Sequence, residues 1–253
     1  MRWRFLDSGA LDGAEQMALD AGLMDRAHET GEAVLRVYAW SQPTLSFGRH
    51  ESVLGRFSPE VLDRANVRAV RRPTGGRALL HDREVTYSVT APAPEGGSLG
   101  LSYGRINALL LEALARLGVR ASAASPGPAT RPGHAVCFAE PSAGELVVHG
   151  RKLVGSAQVR ERGAMLQHGS ILVGDDQPRI AKLAVGPLTP ALSAATLADC
   201  LGRAPAYEEV RDALLASLRA QAGDVATLDA AEAAPFAAPH RAQFLSVQWT
   251  WRR

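Results

Sequence analysis

The chain has 253 residues, 46% apolar and 21% charged, the balance of an ordinary soluble globular protein of one large domain or one domain with an appendage. Its 28 basic against 26 acidic residues leave a net charge of +2, too small to act as the global field of a nucleic-acid binder. No apolar run approaches the roughly 18 residues of a membrane span. The amino terminus lacks a signal-peptide core and carries Asp7, and Cys137 and Cys200 make no disulfide framework, so a cytoplasmic protein is expected.

Asp12 and Glu15 stand three apart ahead of an apolar stripe, Ala14, Met17, Ala18, Ala21 and Met24, which predicts a first helix ended by Gly31. Ala33 to Trp40 alternates as a strand, Ser41-Gln42-Pro43 turns, and Thr44 to Gly48 follows as a second strand. Ser58-Pro59 starts a short helix that ends near Asn66. Val67 to Arg72, Ala78 to Leu80 and Val85 to Thr90 read as strands, and Ala91 to Gly100 as a loop. Ile106, Leu110, Ala113, Leu114 and Leu117 mark the clearest helix, with Gly118 just past its end. Ser125 to His134 is Pro/Gly-rich and reads as an exposed loop leading to Cys137. Strands are expected over Glu145 to Val148, Leu153 to Val159 and Met165 to Val173, with hairpin turns at His149-Gly150 and Glu161-Arg162-Gly163. Val210, Leu214, Leu215 and Leu218 form another helical stripe, while Ala226 to Pro239 is uninformative. The pattern predicts an α/β (α+β) fold: a mixed, largely antiparallel sheet flanked by helices over 1–190, and a small helical C-terminal appendage over 191–253.

Four features could carry chemistry. Arg71-Arg72-Pro73-Thr74-Gly75-Gly76-Arg77 is a cationic turn whose glycines let bare backbone approach a polar ligand; it equally suits a tight turn with solvated arginines. It is neither a P-loop nor a dinucleotide fingerprint. Lys152 precedes the small residues Gly155-Ser156-Ala157, which leave room beside a strand, although a surface lysine at a hairpin end has the same appearance. Cys137 suits either a small buried apolar residue or, beside an ammonium, an acidified nucleophile. His168 precedes a strand glycine, which permits close ligand approach. Cys200 reads as packing on a helix face and His149 as a turn residue. A metal site lacks its second ligand pair, and no serine-hydrolase elbow is present.

Arg71 to Asp82 followed by Glu84-Val85-Thr86-Tyr87-Ser88, and Gly150 to Gln158 followed by Leu166 to Ser170, resemble the two signatures of the biotin/lipoate protein ligase family in order and separation. Around Val136-Cys137-Phe138-Ala139-Glu140-Pro141-Ser142 the chain is similar to the octanoyltransferases of that family, of the LipM type, which carry a nucleophilic cysteine that the ATP-dependent ligases generally lack. Arg77, where ligases more often have a third glycine, resembles the transferases too. The resemblance implies a biotin/lipoate-ligase catalytic fold and octanoyl transfer from acyl carrier protein, through a thioester on Cys137, to the lysine of a lipoyl domain or glycine-cleavage H protein. It assigns Cys137 and Lys152 to catalysis. Gly75, Gly76 and Gly155 would line the acyl tunnel, with Arg71, Arg72 and His168 as further contacts. Arg77, His81, Ser156, Ala157 and Gly169 complete the expected substrate-binding set. No cofactor or metal, nucleic acid or membrane is implied. ATP and Mg would enter only for the alternative, lipoate–protein ligation, and a non-catalytic acyl-carrier-binding module is the second alternative. Ala143-Gly144 stands where the transferases tend to have an aromatic residue, a departure that bears on acyl-chain preference or the acceptor entrance.

Overall fold

The computed structural model describes residues 1–93, 98–125, 144–188 and 193–252. Strand β1 (Trp3–Leu11), helix α1 (Gly13–Thr30) and strand β2 (Ala33–Trp40) form a βαβ unit whose strands run parallel. The Asp12 carboxylate accepts the Glu15 N–H at 2.9 Å, and Gly31, at φ 71°, donates to Ala27 O, so both ends of α1 lie where its capping residues place them. β1 was not legible in the sequence, because a bulge between Asp7 and Gly9 interrupts its alternation.

The chain then builds a small sheet. Strand β3 (Thr44–Phe47) pairs parallel with β4 (Arg68–Arg71) and antiparallel with β5 (Leu79–His81), and α2 (Pro59–Arg64) is capped by the Ser58 hydroxyl. β6 (Glu84–Pro92) returns to the main sheet and leads to α3 (Leu99–Arg116), so strand replaces the first part of the loop expected over 91–100. β7 (Ser122–Ala123), β8 (Leu146–Val148), β9 (Arg151–Glu161) and β10 (Ala164–Leu172) complete the antiparallel part. Both predicted hairpins are present with two-residue turns. His149 and Gly150 sit at φ 49° and 74°, Arg162 and Gly163 at 50° and 74°, the paired positive values of a type I′ turn. The loop expected over Ser125 to His134 lies outside the described residues beyond Ser125.

After β10 come α4 (Ile180–Leu183), α5 (Leu197–Leu201), α6 (Tyr207–Ala222), β11 (Val225–Thr227), α7 (Ala230–Ala233), α8 (Ala238–Leu245) and α9 (Val247–Thr250). The expected helical extension therefore contains a strand, β11, which lies parallel to β1 at the sheet edge. The eight strands run in the order β11-β1-β2-β6-β10-β9-β8-β7.

Alternation along β1 and β2 splits the core. Phe5 and Leu35 pack with Ile106, Leu110, Leu114, Val210 and Leu214 of α3 and α6 on one face. Leu6 and Val34 pack with Met17, Leu23 and Phe244 of α1 and α8 on the other. Leu45, Phe47, Phe57 and Leu80 form a third cluster on the small sheet. Among the described residues no helix is long and apolar enough to cross a membrane.

α1 meets the C-terminal segment at Gly22, where a Cβ would stand 2.0 Å from Phe236 O. Gly22→Ala must push that backbone away, and urea unfolding is expected to show a loss of about 2 kcal/mol.

Candidate active site

Residues of the two sequence signatures meet at a cavity of about 480 Å³ between β9 and β10 on one side and the glycine turn on the other. Ten of the eleven predicted substrate residues line it; Arg71 does not. Small side chains make the room. Gly169 lies opposite Ser156, and Ser170 opposite Gly155, and a Cβ on Gly169 would meet Gly155 O at 2.5 Å. No other residue type fits that register without separating the strands.

Lys152 is the second residue of β9 and is 3% exposed, so it is not a surface lysine at a hairpin end. Its Nζ lies 2.6 Å from Glu145 Oε1. An ammonium held this far from water needs such a partner, because an isolated buried charge is costly. Glu145 was missed as a site residue. The signal was the tight His149-Gly150 hairpin, which folds the strand behind Glu145 onto the one that carries Lys152.

The glycine turn is held by its carbonyls. Arg72 Nη1 donates to Ser46 O (2.9 Å) and Oγ (2.5 Å), and Arg72 Nη2 to Gly75 O (3.1 Å) and Arg77 O (3.0 Å). Arg49 N donates to Thr74 O at 2.8 Å. With those oxygens engaged, the backbone N–H groups of Gly75 and Gly76 border the cavity, and no described acceptor takes them. Gly76 sits at φ 98°, and a Cβ on the facing Gly48 would fall 1.9 Å from Gly76 O.

Arg71, expected at the ligand, faces the other way, because successive strand residues alternate. Its guanidinium donates to the carbonyls of Trp249 (3.1 Å), Thr250 (3.0 Å), Gly48 (2.6 Å), Glu51 (2.9 Å) and Arg252 (2.8 Å). It holds the C-terminal segment against the turn rather than a ligand.

His168 bridges α1 to the turn, with Nδ1 3.0 Å from Asp20 Oδ2 and Nε2 2.7 Å from Thr74 Oγ1. Asp20, fully buried, also takes Arg36 Nη1 at 2.8 Å and Ser88 Oγ at 2.7 Å. Burial pushes the Asp20 carboxyl up, but Arg36 and His168 together hold it below the usual carboxylate range. His81 stacks on Trp40 at 3.9 Å between ring centroids. Its Nδ1 is 2.7 Å from Glu84 Oε1 and its Nε2 2.6 Å from Ser46 Oγ. Burial draws the His81 pKa below its usual 6.5 despite the opposing pull of Glu84.

Cys137 lies outside the described residues. The ends of its segment are tied together: Gly144 N donates to Ala124 O at 3.0 Å, and Ala124 N to Glu145 O at 2.7 Å. Both ends therefore stand beside the Lys152–Glu145 pair.

This fold is that of the lipoate–protein ligases. Lipoate–protein ligase A, solved with ATP bound, superposes with a TM-score of 0.80 over 99% of each chain at 18% identity. A bi-partite lipoate protein ligase from Thermoplasma acidophilum superposes with 0.79 over 99% of this chain and 96% of that one, also at 18%. The lipoyl protein ligase A/B catalytic domain matches residues 12–219, and the chain belongs to that family. Relatives called octanoyltransferase LipM include one from Kyrpidia tusciae, 38% identical with 99% of both chains covered, and one from Halalkalibacterium halodurans, 42% identical over 72% of this chain and 69% of that one. A third, from Bacillus subtilis, is 40% identical over 73% and 70%.

Two outcomes are expected. Gly48→Ala must displace the glycine turn at Gly76, and turnover should fall by about 100-fold while the far-UV spectrum is retained. Because the folded His81 pKa lies below 6.5, the unfolded chain binds the extra proton first as pH drops. Stability should therefore decline below pH 6.5 until the folded group titrates, by at most about 1.4 kcal/mol per pH unit, and His81→Gln should remove that slope in urea titrations.

Proposed function

We propose that this chain is an acyltransferase that moves an octanoyl group from acyl carrier protein, through a thioester on Cys137, to the lysine of a lipoyl domain or glycine-cleavage H protein. The observation that carries the reading is the cavity: the buried Lys152 ammonium, the small strand residues Gly155 and Gly169, and the glycine turn, whose Gly75 and Gly76 N–H groups meet no described acceptor, line one space. Membership of the family and the octanoyltransferase relatives support it.

In this mechanism the Cys137 thiolate attacks the donor's carbonyl carbon, and the negative charge collects on the carbonyl oxygen. The carbon–sulfur bond to the carrier breaks, and the departing thiolate takes up a proton. The acceptor's neutral amine then attacks the acyl-enzyme, the bond to Cys137 breaks, and the nitrogen loses its proton as the amide forms. Lys152 would favour the thiolate and the oxyanion; the Gly75 and Gly76 N–H groups would share the second task. A unit charge about 4 Å from the thiolate is worth roughly 4 kcal/mol at an effective dielectric near 20, against about 1.4 kcal/mol for each unit of pKa depression. The octanoyl chain would gain about 0.8 kcal/mol for each methylene buried, which makes the cavity a length gauge. Residues 1–190 would form the catalytic unit and 191–253 the extension that braces it through Arg71. The reaction needs no ATP or metal, and its site of action is the cytoplasm.

Intact-mass measurement after mixing with octanoyl-carrier protein, without ATP, tests the reading. Wild type is expected to gain one octanoyl group, removable by hydroxylamine and chased onto a lipoyl domain, while Cys137→Ala gains none. Lys152→Met should acylate at least about 100-fold more slowly. Modification of the acceptor by free lipoate and ATP, with no adduct on wild type, would establish the ligase instead.

A further inference from the structure

A second depression, of about 690 Å³, runs along the outer side of α3. Its floor is Gly100, Gly104 and Ala108, which succeed one another at four-residue steps on one side of the helix. Glycine inside a helix is unfavourable, and packing gives no reason for it here: no described atom lies within 4 Å of where a Cβ on Gly104 would stand. The glycines leave a trough open instead.

The trough also holds a polar atom with no partner among the described residues. Asn107 lines it and is 6% exposed. Its Nδ2 donates to Gly144 O. That carbonyl can only accept, so the amide nitrogen must face it, and the carbonyl end, Oδ1, is left buried with no hydrogen bond among the described residues. A ligand N–H would satisfy it.

Two residues, Tyr103 and Gln158, line both this trough and the acyl cavity. A group passing that wall would have one portion in each. The trough also abuts Ala123 and Gly144, which flank the segment that carries Cys137.

We propose that the trough receives the pantetheine arm of the acyl donor, with Asn107 Oδ1 accepting from an arm amide N–H; this rests on the thioester-donor reading above. The arm is a narrow, uncharged, mostly apolar chain with two secondary amides. Its backbone of about a dozen bonds spans roughly 14 Å when extended. From Gly100 to Leu111 the helix advances about 16 Å, which matches. The thioester then sits at the Tyr103–Gln158 wall, with the octanoyl chain inward and the arm outward.

Acylation by octanoyl-pantetheine and by octanoyl-mercaptoethanol, which lacks the arm, is compared on the full chain by intact-mass time courses. Wild type is expected to prefer the pantetheine thioester by about tenfold or more in kcat/KM, and Gly104→Leu, which fills the trough, to bring that ratio close to one. Ala108→Leu, on the same exposed side of the helix, gives an independent reading if the first variant misfolds, and Asn107→Leu should lower the ratio as well. An equal ratio in wild type and both filled variants overturns the proposal. So does a defect confined to chasing a preformed acyl-enzyme onto a lipoyl domain, which would assign the trough to the acceptor. Wild type that reacts with neither thioester, yet is not acylated by octanoyl-carrier protein either, defeats the thioester reading and this proposal with it. Reaction with both at an unchanging ratio defeats the trough alone.

Discussion

Two neighbouring arginines, Arg71 and Arg72, are both buried, and the site depends on what each of them grips. Removing an arginine from water is expensive, and the expense is offset only where every donor finds a well-placed acceptor. Here many of the acceptors are main-chain carbonyls, which are fixed by the fold rather than by rotamers. Arg72 draws Gly75 O and Arg77 O inward, and Arg71 gathers carbonyls from Gly48, Glu51 and the C-terminal residues. The same two side chains thus shape the turn and brace it from behind. Trp249 returns the contact by donating its indole N–H to Arg71 O at 3.0 Å, so the last helix and the turn are tied in both directions.

The two histidines of the cavity follow from the same economy. Each has both ring nitrogens engaged: His168 by Asp20 and Thr74, His81 by Glu84 and Ser46. A ring in that situation has no nitrogen to offer a substrate proton. It sets distances instead, His168 between α1 and the turn, His81 between the small sheet and β6. Ser46 then links His81 to Arg72, so a buried carboxylate, an imidazole, a hydroxyl and a guanidinium stand in one line ending at the glycine turn. Preorganisation of this kind keeps the glycine turn in one shape before any substrate arrives, which is what the oxyanion role proposed for its N–H groups would require.

Local signals were legible wherever a residue type answers a local geometric demand. Asp12 and Gly31 bound α1, the paired turn residues at His149-Gly150 and Arg162-Gly163 close hairpins, and the glycine after His168 marks a close approach. What escaped depends on residues distant in the chain. Glu145 becomes the partner of Lys152 only through strand register, and Arg71 turns from the ligand because Arg72 takes the inward side. β11 is three residues long and owes its strand form to β1 rather than to any alternation of its own. Asn107 sits in a helix whose periodicity is plain, yet its orphaned oxygen exists only because Gly144 O captures the other end of the amide.

A wall shared by two cavities has a kinetic consequence for a reaction with a covalent intermediate. In the proposed thioester route the acyl chain stays while the thiol that delivered it departs, and a single pocket for both would tie the two events together. If the chain is held in the 480 Å³ cavity and the arm lies in the trough along α3, the two release separately. In that route the thioester to Cys137 would keep the acyl group on the enzyme after its bond to the arm is cut, and each methylene dehydrated in the inner site would add to the hold on the chain. The outer site would hold the arm mainly by apolar contact with the small residues of α3 and by the Asn107 oxygen, which suits an arm that must leave on every turnover. Its departure also clears the approach to the carbonyl at the Tyr103–Gln158 wall. The same opening could then admit the acceptor's lysine, another long, thin chain with nitrogen at its end. On that view, the small residues of α3 determine both how the donor is read and how soon the acceptor can follow.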